Sequence, residues 1–270
     1  MKLIFGSKDR IILTVLFIAS IIYWIFFLLI SHYHQSPLGL YTQIPLAIIP
    51  IYGGIIGWIK SQQWGRWKSY MGRGIIFLSL GMFVWGFALG MWTYYTVVGQ
   101  TTPYPSLADY VFIWSPVLWL IGLTQISKVT GARFSLTNLK ETIIGILITL
   151  SVAFLSYVFI IVVAHGNRIG TTDETFGQLF FDYAYTIEII FVAILVGAIY
   201  GFSRKYLGGK YKAPILLLFL GFFIHVIAIF FFVQTTANST YFNGNIADIL
   251  FTIAVFLESI GILNLDTLLL

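Results

Sequence analysis

Eight long apolar runs, separated by short polar stretches, make up most of this chain. They cover Ile11–Ile30, Leu40–Ile59, Gly74–Val98, Leu107–Ile126, Thr142–Ala164, Phe181–Phe202, Pro214–Val233 and Ile246–Leu263. A helix needs about 20 apolar residues to cross the hydrocarbon core of a bilayer. In lipid, each segment must close its own backbone hydrogen bonds, which selects helices. The pattern therefore predicts an all-α integral membrane protein, an eight-helix transmembrane bundle. It forms a single transmembrane domain over residues 1–270, with no soluble domain. Pro45 and Pro50 fall inside the second run and predict a kink there, because proline removes a backbone donor.

Composition agrees with the pattern. The chain is 59% hydrophobic and only 9% charged, against about 25% charged for an ordinary soluble domain. The first run is too long for a signal-peptide core and lacks a small-x-small cleavage site before Ser31, so it reads as a retained helix.

The placement of charge refines the topology. The formal charge is +5, and of the 15 Lys and Arg every one but Arg168 falls in the N-terminal tail or in three loops. Eight spans put all these clusters on one side, whereas other span counts scatter them. Retention of Lys and Arg on the cytoplasmic side then predicts that both termini face the cytoplasm, in a bacterial inner membrane. A nucleic-acid partner needs a continuous basic stripe, which these interrupted clusters do not form. Trp64 and Trp67 alternate with Arg66 and Lys68. That pattern suits an interfacial anchor, with anionic-lipid recognition as the sharper alternative.

The chain also echoes itself. Leu78-x-Leu80-Gly81-x-Phe83 with Ala88 matches Leu218-x-Leu220-Gly221-x-Phe223 with Ala228. Gln100-Thr101-Thr102 matches Gln234-Thr235-Thr236, and Ala108-Asp109-x-x-Phe112 matches Ala247-Asp248-x-x-Phe251. The order of these matches predicts a 4+4 internal repeat, with halves of approximately 1–130 and 131–270. Halves with an even number of spans insert the same way up, as parallel repeats.

The candidate chemistry lies in acids within spans, which are costly there and usually face a cavity or a partner. Asp109, Asp182 and Asp248 begin three spans that run in the same direction. They suit helix capping and dipole compensation, or they could ring one vestibule. Glu188 lies about 9 Å beyond Asp182 along its helix, and Glu258 about 15 Å beyond Asp248. On the last helix Asp248, Thr252 and Ser259 share a narrow arc with Glu258 beside it, a stripe that should face the bundle interior. His225 sits in mid-span. A lone histidine there suits a hydrogen-bonded core position; the sharper reading pairs it with Glu258 or Glu188 as a proton- or ligand-sensing couple.

Several cofactors are excluded as expectations. There is no cysteine, which removes disulfides, Cys-ligated zinc and iron–sulfur clusters. Covalent retinal needs a lysine within a span, and bis-histidine haem needs two deep histidines. His225 alone is deep; His32, His34 and His165 are near span ends or in a loop. No metal site, cofactor, nucleophile–base set or phosphate loop is expected.

One stretch carries a resemblance. Gly90-x-Trp92-x-Tyr94-Tyr95, then Gly99-Gln100, then Pro103-x-Pro105-Ser106-x-Ala108-Asp109 resembles the multi-pass sensory regions found ahead of bacterial diguanylate cyclase and histidine kinase domains. Those proteins continue into a cytoplasmic output domain, whereas this sequence stops at Leu270 and its loops are too short to hold one. The resemblance implies a sensor-like module that passes its signal to a separate cytoplasmic or membrane partner. Pro103, Pro105 and Ser106 would shape the corner, and Asp109, Asp182, Glu188, His225, Asp248 and Glu258 would line or support a ligand site. The leading expectation is thus non-enzymatic sensing. A small cation or proton-coupled transporter or channel, and a structural or assembly protein, are the alternatives.

Overall fold

The computed structural model describes residues 7–30, 37–98, 104–132, 136–164, 175–238 and 240–265. Gln100 to Pro103, His32, His34, His165 and Arg168 lie outside them. The described residues contain helices and no strand. Eight helical spans are long and apolar enough to cross a membrane.

The helices are α1 (Lys8–Ile30), α2 (Gln43–Lys60), α3 (Tyr70–Val97), α4 (Leu107–Phe112), α5 (Trp114–Ser127), α6 (Leu139–Ser156), α7 (Phe176–Ser203), α8 (Lys212–Ala237) and α9 (Ile246–Leu263). The starts are set by polar caps just before the apolar runs. Ser69 Oγ accepts from Gly72 N at 2.9 Å. Asn245 Oδ1 accepts from Ala247 N at 2.8 Å. Thr175 and Gln178 cap each other reciprocally, so α7 begins ahead of its apolar run, at Phe176. Such caps satisfy N–H groups that the first turn leaves without partners.

Two spans depart from simple α-helix. The fourth was expected to be one helix over Leu107–Ile126, but it breaks at Ile113 into α4 and α5. Pro116 explains this, since it has no N–H to return to the carbonyl of Phe112. Span five continues from α6 as a π-helical stretch, Tyr157–Ala164. Pro50 lies within α2, while Pro45 falls in its first turn, where a missing donor costs little.

Helix α9 occupies the centre. It packs against α8, α2 and α1 and also touches α3. The other close pairs are α2 with α3, α3 with α5, and α6 with α7, and α7 also packs against α5. Close approach is set by glycine, as usual between helices in lipid, where small residues let backbones meet. A Cβ at Gly81 on α3 would stand 2.5 Å from Trp119 Nε1 on α5. A Cβ at Gly221 on α8 would stand 2.6 Å from Glu258 Cγ on α9. Gly122 abuts Leu78, and Gly261 abuts Leu218.

Every described Lys and Arg lies at the end of the bundle where α2 finishes and α3 starts, here the basic end. Ties there run between helices. Arg10 Nη1 donates to Asn264 Oδ1 at 2.7 Å, and Trp64 Nε1 donates to Leu265 O at 2.8 Å. Glu141 on α6 takes Arg204 at 2.7 Å and Lys205 at 3.4 Å.

The glycine contacts make a direct prediction. Gly221→Val forces a branched side chain into the stem and backbone of Glu258 and lowers stability in detergent by about 1–3 kcal/mol. Gly90, with nothing within 4 Å of its would-be Cβ, tolerates alanine, and the better helix former adds up to about 1 kcal/mol. Thermal unfolding of the two variants checks both signs.

Candidate functional site

The candidate acids fall into three groups. The first joins the corner before α4 to α7. Asp109 lies at the third position of α4 and reaches back to its own cap. Its Oδ2 accepts from Ser106 N at 2.6 Å and from Ser106 Oγ at 2.7 Å. Tyr185 on α7 donates to the same residue, its hydroxyl standing 3.0 Å from the carbonyl oxygen and 3.1 Å from Oδ1. One turn earlier on α7, Asp182 accepts from the Tyr104 hydroxyl. Pro105 leans on the first turn of α7, next to Gly177. Glu188 is half-buried one turn beyond Tyr185, and its Oε2 is buried with no hydrogen-bond partner among the described residues.

The second group surrounds Asp248, 3% exposed. Its Oδ2 accepts from Gly244 N at 2.6 Å and from Gln43 Nε2 at 2.7 Å, and its Oδ1 accepts from Tyr241 OH at 3.0 Å. Gly244 takes the left-handed conformation, φ +91°, that the corner requires and that glycine adopts at low cost. Trp24 Nε1 donates to its carbonyl at 2.8 Å. The carboxylate thus clasps α2 and the 241–245 corner to α9, and Trp24 ties α1 to the same corner. Three protein donors occupy it, which leaves little capacity for a ligand. Helix capping itself falls to Asn245, not Asp248.

The third group is the deepest. His225 Nδ1 on α8 lies 3.2 Å from Glu258 Oε1 on α9, with side chains 1% and 0% exposed. Three rings stand edge-on around the imidazole: Trp119 at 5.0 Å, Phe251 at 5.2 Å and Trp85 at 5.5 Å between centroids. Among the described residues, Glu258 Oε2 and Trp119 Nε1 are buried without a hydrogen-bond partner, as are the hydroxyls of Ser79, Ser115 and Ser259. The stripe on α9 faces inward throughout: Asp248, Thr252, Glu258 and Ser259 are all buried.

Of the two partners expected for His225, the structure brings Glu258 to it. Glu188 belongs with Tyr185 instead, and the three acids at the span ends are divided between two groups. Pro103 lies outside the described residues. Tyr104, Tyr185, Tyr241, Gln43, Trp85 and Trp119 were not singled out as partners, because each meets its acid or histidine across a turn or between helices. Among the described residues, no group of three or more His, Cys, Asp or Glu is placed to hold a metal.

No protein-family model matches the chain, and no curated protein or solved structure matches it either. The functional reading therefore rests on geometry.

Tyr241 lies outside the spans. Burial first, then the charge of Asp248 and the hydrogen bond to it, push its phenol well above the usual value of 10.0. A raised pKa in the folded state gives stability that is complete below pH 10 and declines as pH rises above it. Tyr241→Phe is expected to lower stability at neutral pH by about 1–3 kcal/mol, as it strips a donor from a buried carboxylate. The gap from wild type should narrow above pH 10, because phenylalanine has no proton to lose. Unfolding in detergent across that range measures it.

Proposed function

We propose that this chain is a non-enzymatic membrane sensor-like module. A change at the buried His225–Glu258 pair alters packing within the bundle, and a separate signalling partner reads it. The pair itself carries the reading: a histidine and a carboxylate in hydrogen-bond contact with essentially no exposure, against the rings of α3 and α5. A charge in such a place is expensive unless compensated. Gain or loss of a proton, or a small polar ligand at Glu258 Oε2, must then be answered by a rearrangement of the partners around it. A conformational equilibrium shifts only through such differential interactions.

The same reading includes a parallel repeat. Gly81 meets Trp119 and the carbonyl of Ser115; Gly221 meets Glu258 and the carbonyl of Ala254. Gly122 meets Leu78 as Gly261 meets Leu218. These contacts pair α3 with α5 and α8 with α9 at matching positions. They support two four-span units, approximately 1–130 and 131–270, related by an axis along the membrane normal. In this arrangement Trp85 and His225 are counterparts, and they touch each other where the units meet. The single-ended distribution of Lys and Arg supports an orientation with both termini at the cytoplasmic face of an inner membrane.

Proton-coupled transport is a second reading. It is favoured by the buried hydroxyls of Ser79 and Ser259, which have no hydrogen-bond partner among the described residues and lie beside Gly57 and Gly53 of α2.

The test uses the full chain in nanodiscs. Trp85 and Trp119 stand against His225, so wild-type tryptophan emission should respond to pH. The response should vanish in His225→Phe and change in Glu258→Gln. An emission profile identical in wild type and His225→Phe removes the sensing reading. Proton flux in liposomes that Glu258→Gln abolishes would favour transport.

A further inference from the structure

We infer that the basic end carries a binding site for the phosphate headgroup of an anionic phospholipid, centred on Tyr70, Arg73 and Lys128. Tyr70 begins α3, and its ring is 46% exposed. Two cations stand over that one ring. The Arg73 guanidinium carbon is 4.7 Å from its centroid, and the Lys128 ammonium, arriving from the end of α5, is 4.8 Å from it. Cation–π contact is worth having, but it does not neutralise charge. Bringing two like charges to one ring is unfavourable unless an anion joins them.

Among the described residues, the surroundings hold no such anion. Arg73 is fixed by Gln125 Oε1 at 3.3 Å and the carbonyl of Trp67 at 3.1 Å, both uncharged. Arg66 and Lys68 lie exposed on the adjoining loop. Among the described residues no carboxylate pairs with any of these four cations. The contrast at the same end is Arg204 and Lys205, which share Glu141. The four charges therefore form an open acceptor for a phosphodiester, which guanidinium and ammonium groups recognise.

The site is built, not merely basic. The loop from Ser61 to Lys68 folds down on the first turn of α3. Gly65 and Arg66 take positive φ, 72° and 50°. A Cβ at Gly72 would stand 2.2 Å from the Arg66 carbonyl oxygen. That contact holds Arg66 and Lys68 beside Arg73 before any ligand arrives, which lowers the ordering cost of binding. Trp67 is held edge-on between Trp58 at 6.4 Å and Phe77 at 5.7 Å. Its half-exposed ring sits at the end of two spans, the depth at which tryptophan meets headgroups. Phosphate binds the cations there while the acyl chains run down the apolar faces of α2 and α3.

Native mass spectrometry of the full chain, taken from mixed phosphatidylglycerol and phosphatidylcholine nanodiscs, tests this. Wild type should retain phosphatidylglycerol preferentially. Each Lys or Arg near an anionic surface adds roughly fivefold, so Arg73→Gln with Lys128→Gln should cut retention about thirtyfold. The charge-keeping pair Arg73→Lys with Lys128→Arg should keep most of it, which separates lost recognition from a lost fold. Lys210→Gln with Lys212→Gln, at the same end, should leave it unchanged. Equal retention of both lipids, or an unaltered profile in Arg73→Gln with Lys128→Gln, overturns the site. So does an equal loss in Lys210→Gln with Lys212→Gln, which would mean general surface attraction, or displacement by millimolar inorganic phosphate.

Discussion

A carboxylate within a bilayer has no water to turn to, so it must find its donors within the protein. The arrangement of this bundle follows that constraint more closely than any other. Asp248 draws a backbone N–H and a phenol from the 241–245 corner and a side-chain amide from α2. Asp109 draws its own cap and a phenol from a neighbouring helix. Glu258 finds one histidine, and its second oxygen has no partner among the described residues. The first two are closed by protein donors. The third remains open, and for that reason it is where a response to a proton or ligand is proposed.

Satisfying these groups requires helices to come close, and the glycines allow it. Where Gly221 lies against Glu258 and Gly53 against Ser259, backbones approach within reach of short polar side chains. A larger residue at either place would displace the same groups that need partners. Packing and polar satisfaction are therefore one problem here, because lipid offers little hydrophobic drive for helices to associate.

The two ends of the bundle work differently. At the basic end, the loop before α3 carries exposed Arg66, Lys68 and Trp67, features that suit contact with an anionic headgroup layer. At the opposite end, tyrosine hydroxyls meet carboxylates at the corners before α4 and α9, and no described Lys or Arg is present. Hydrogen bonds from phenols stabilise those acids without introducing charge. The corners are thereby held in place, and the deep pair lies between them and the basic end.

Much of the architecture was legible in the sequence. The eight runs and the inward stripe on α9 follow from local periodicity and composition, and these are set by each residue's neighbours along the chain. The break at Ile113 was not anticipated, although Pro116 signals it. The pairing of His225 with Glu258, and not with Glu188, could not be read in advance, because both lie at plausible depth and the choice depends on which helices adjoin. The tyrosine partners, the ring box around His225 and the meeting of Arg73 with Lys128 at Tyr70 likewise depend on inter-helix rotation and spacing. Sequence by itself determined which segments enter the membrane, since burial in lipid depends on each segment's own polarity. Only tertiary structure decided which polar groups share a partner, since that is a matter of distances between segments far apart in the chain.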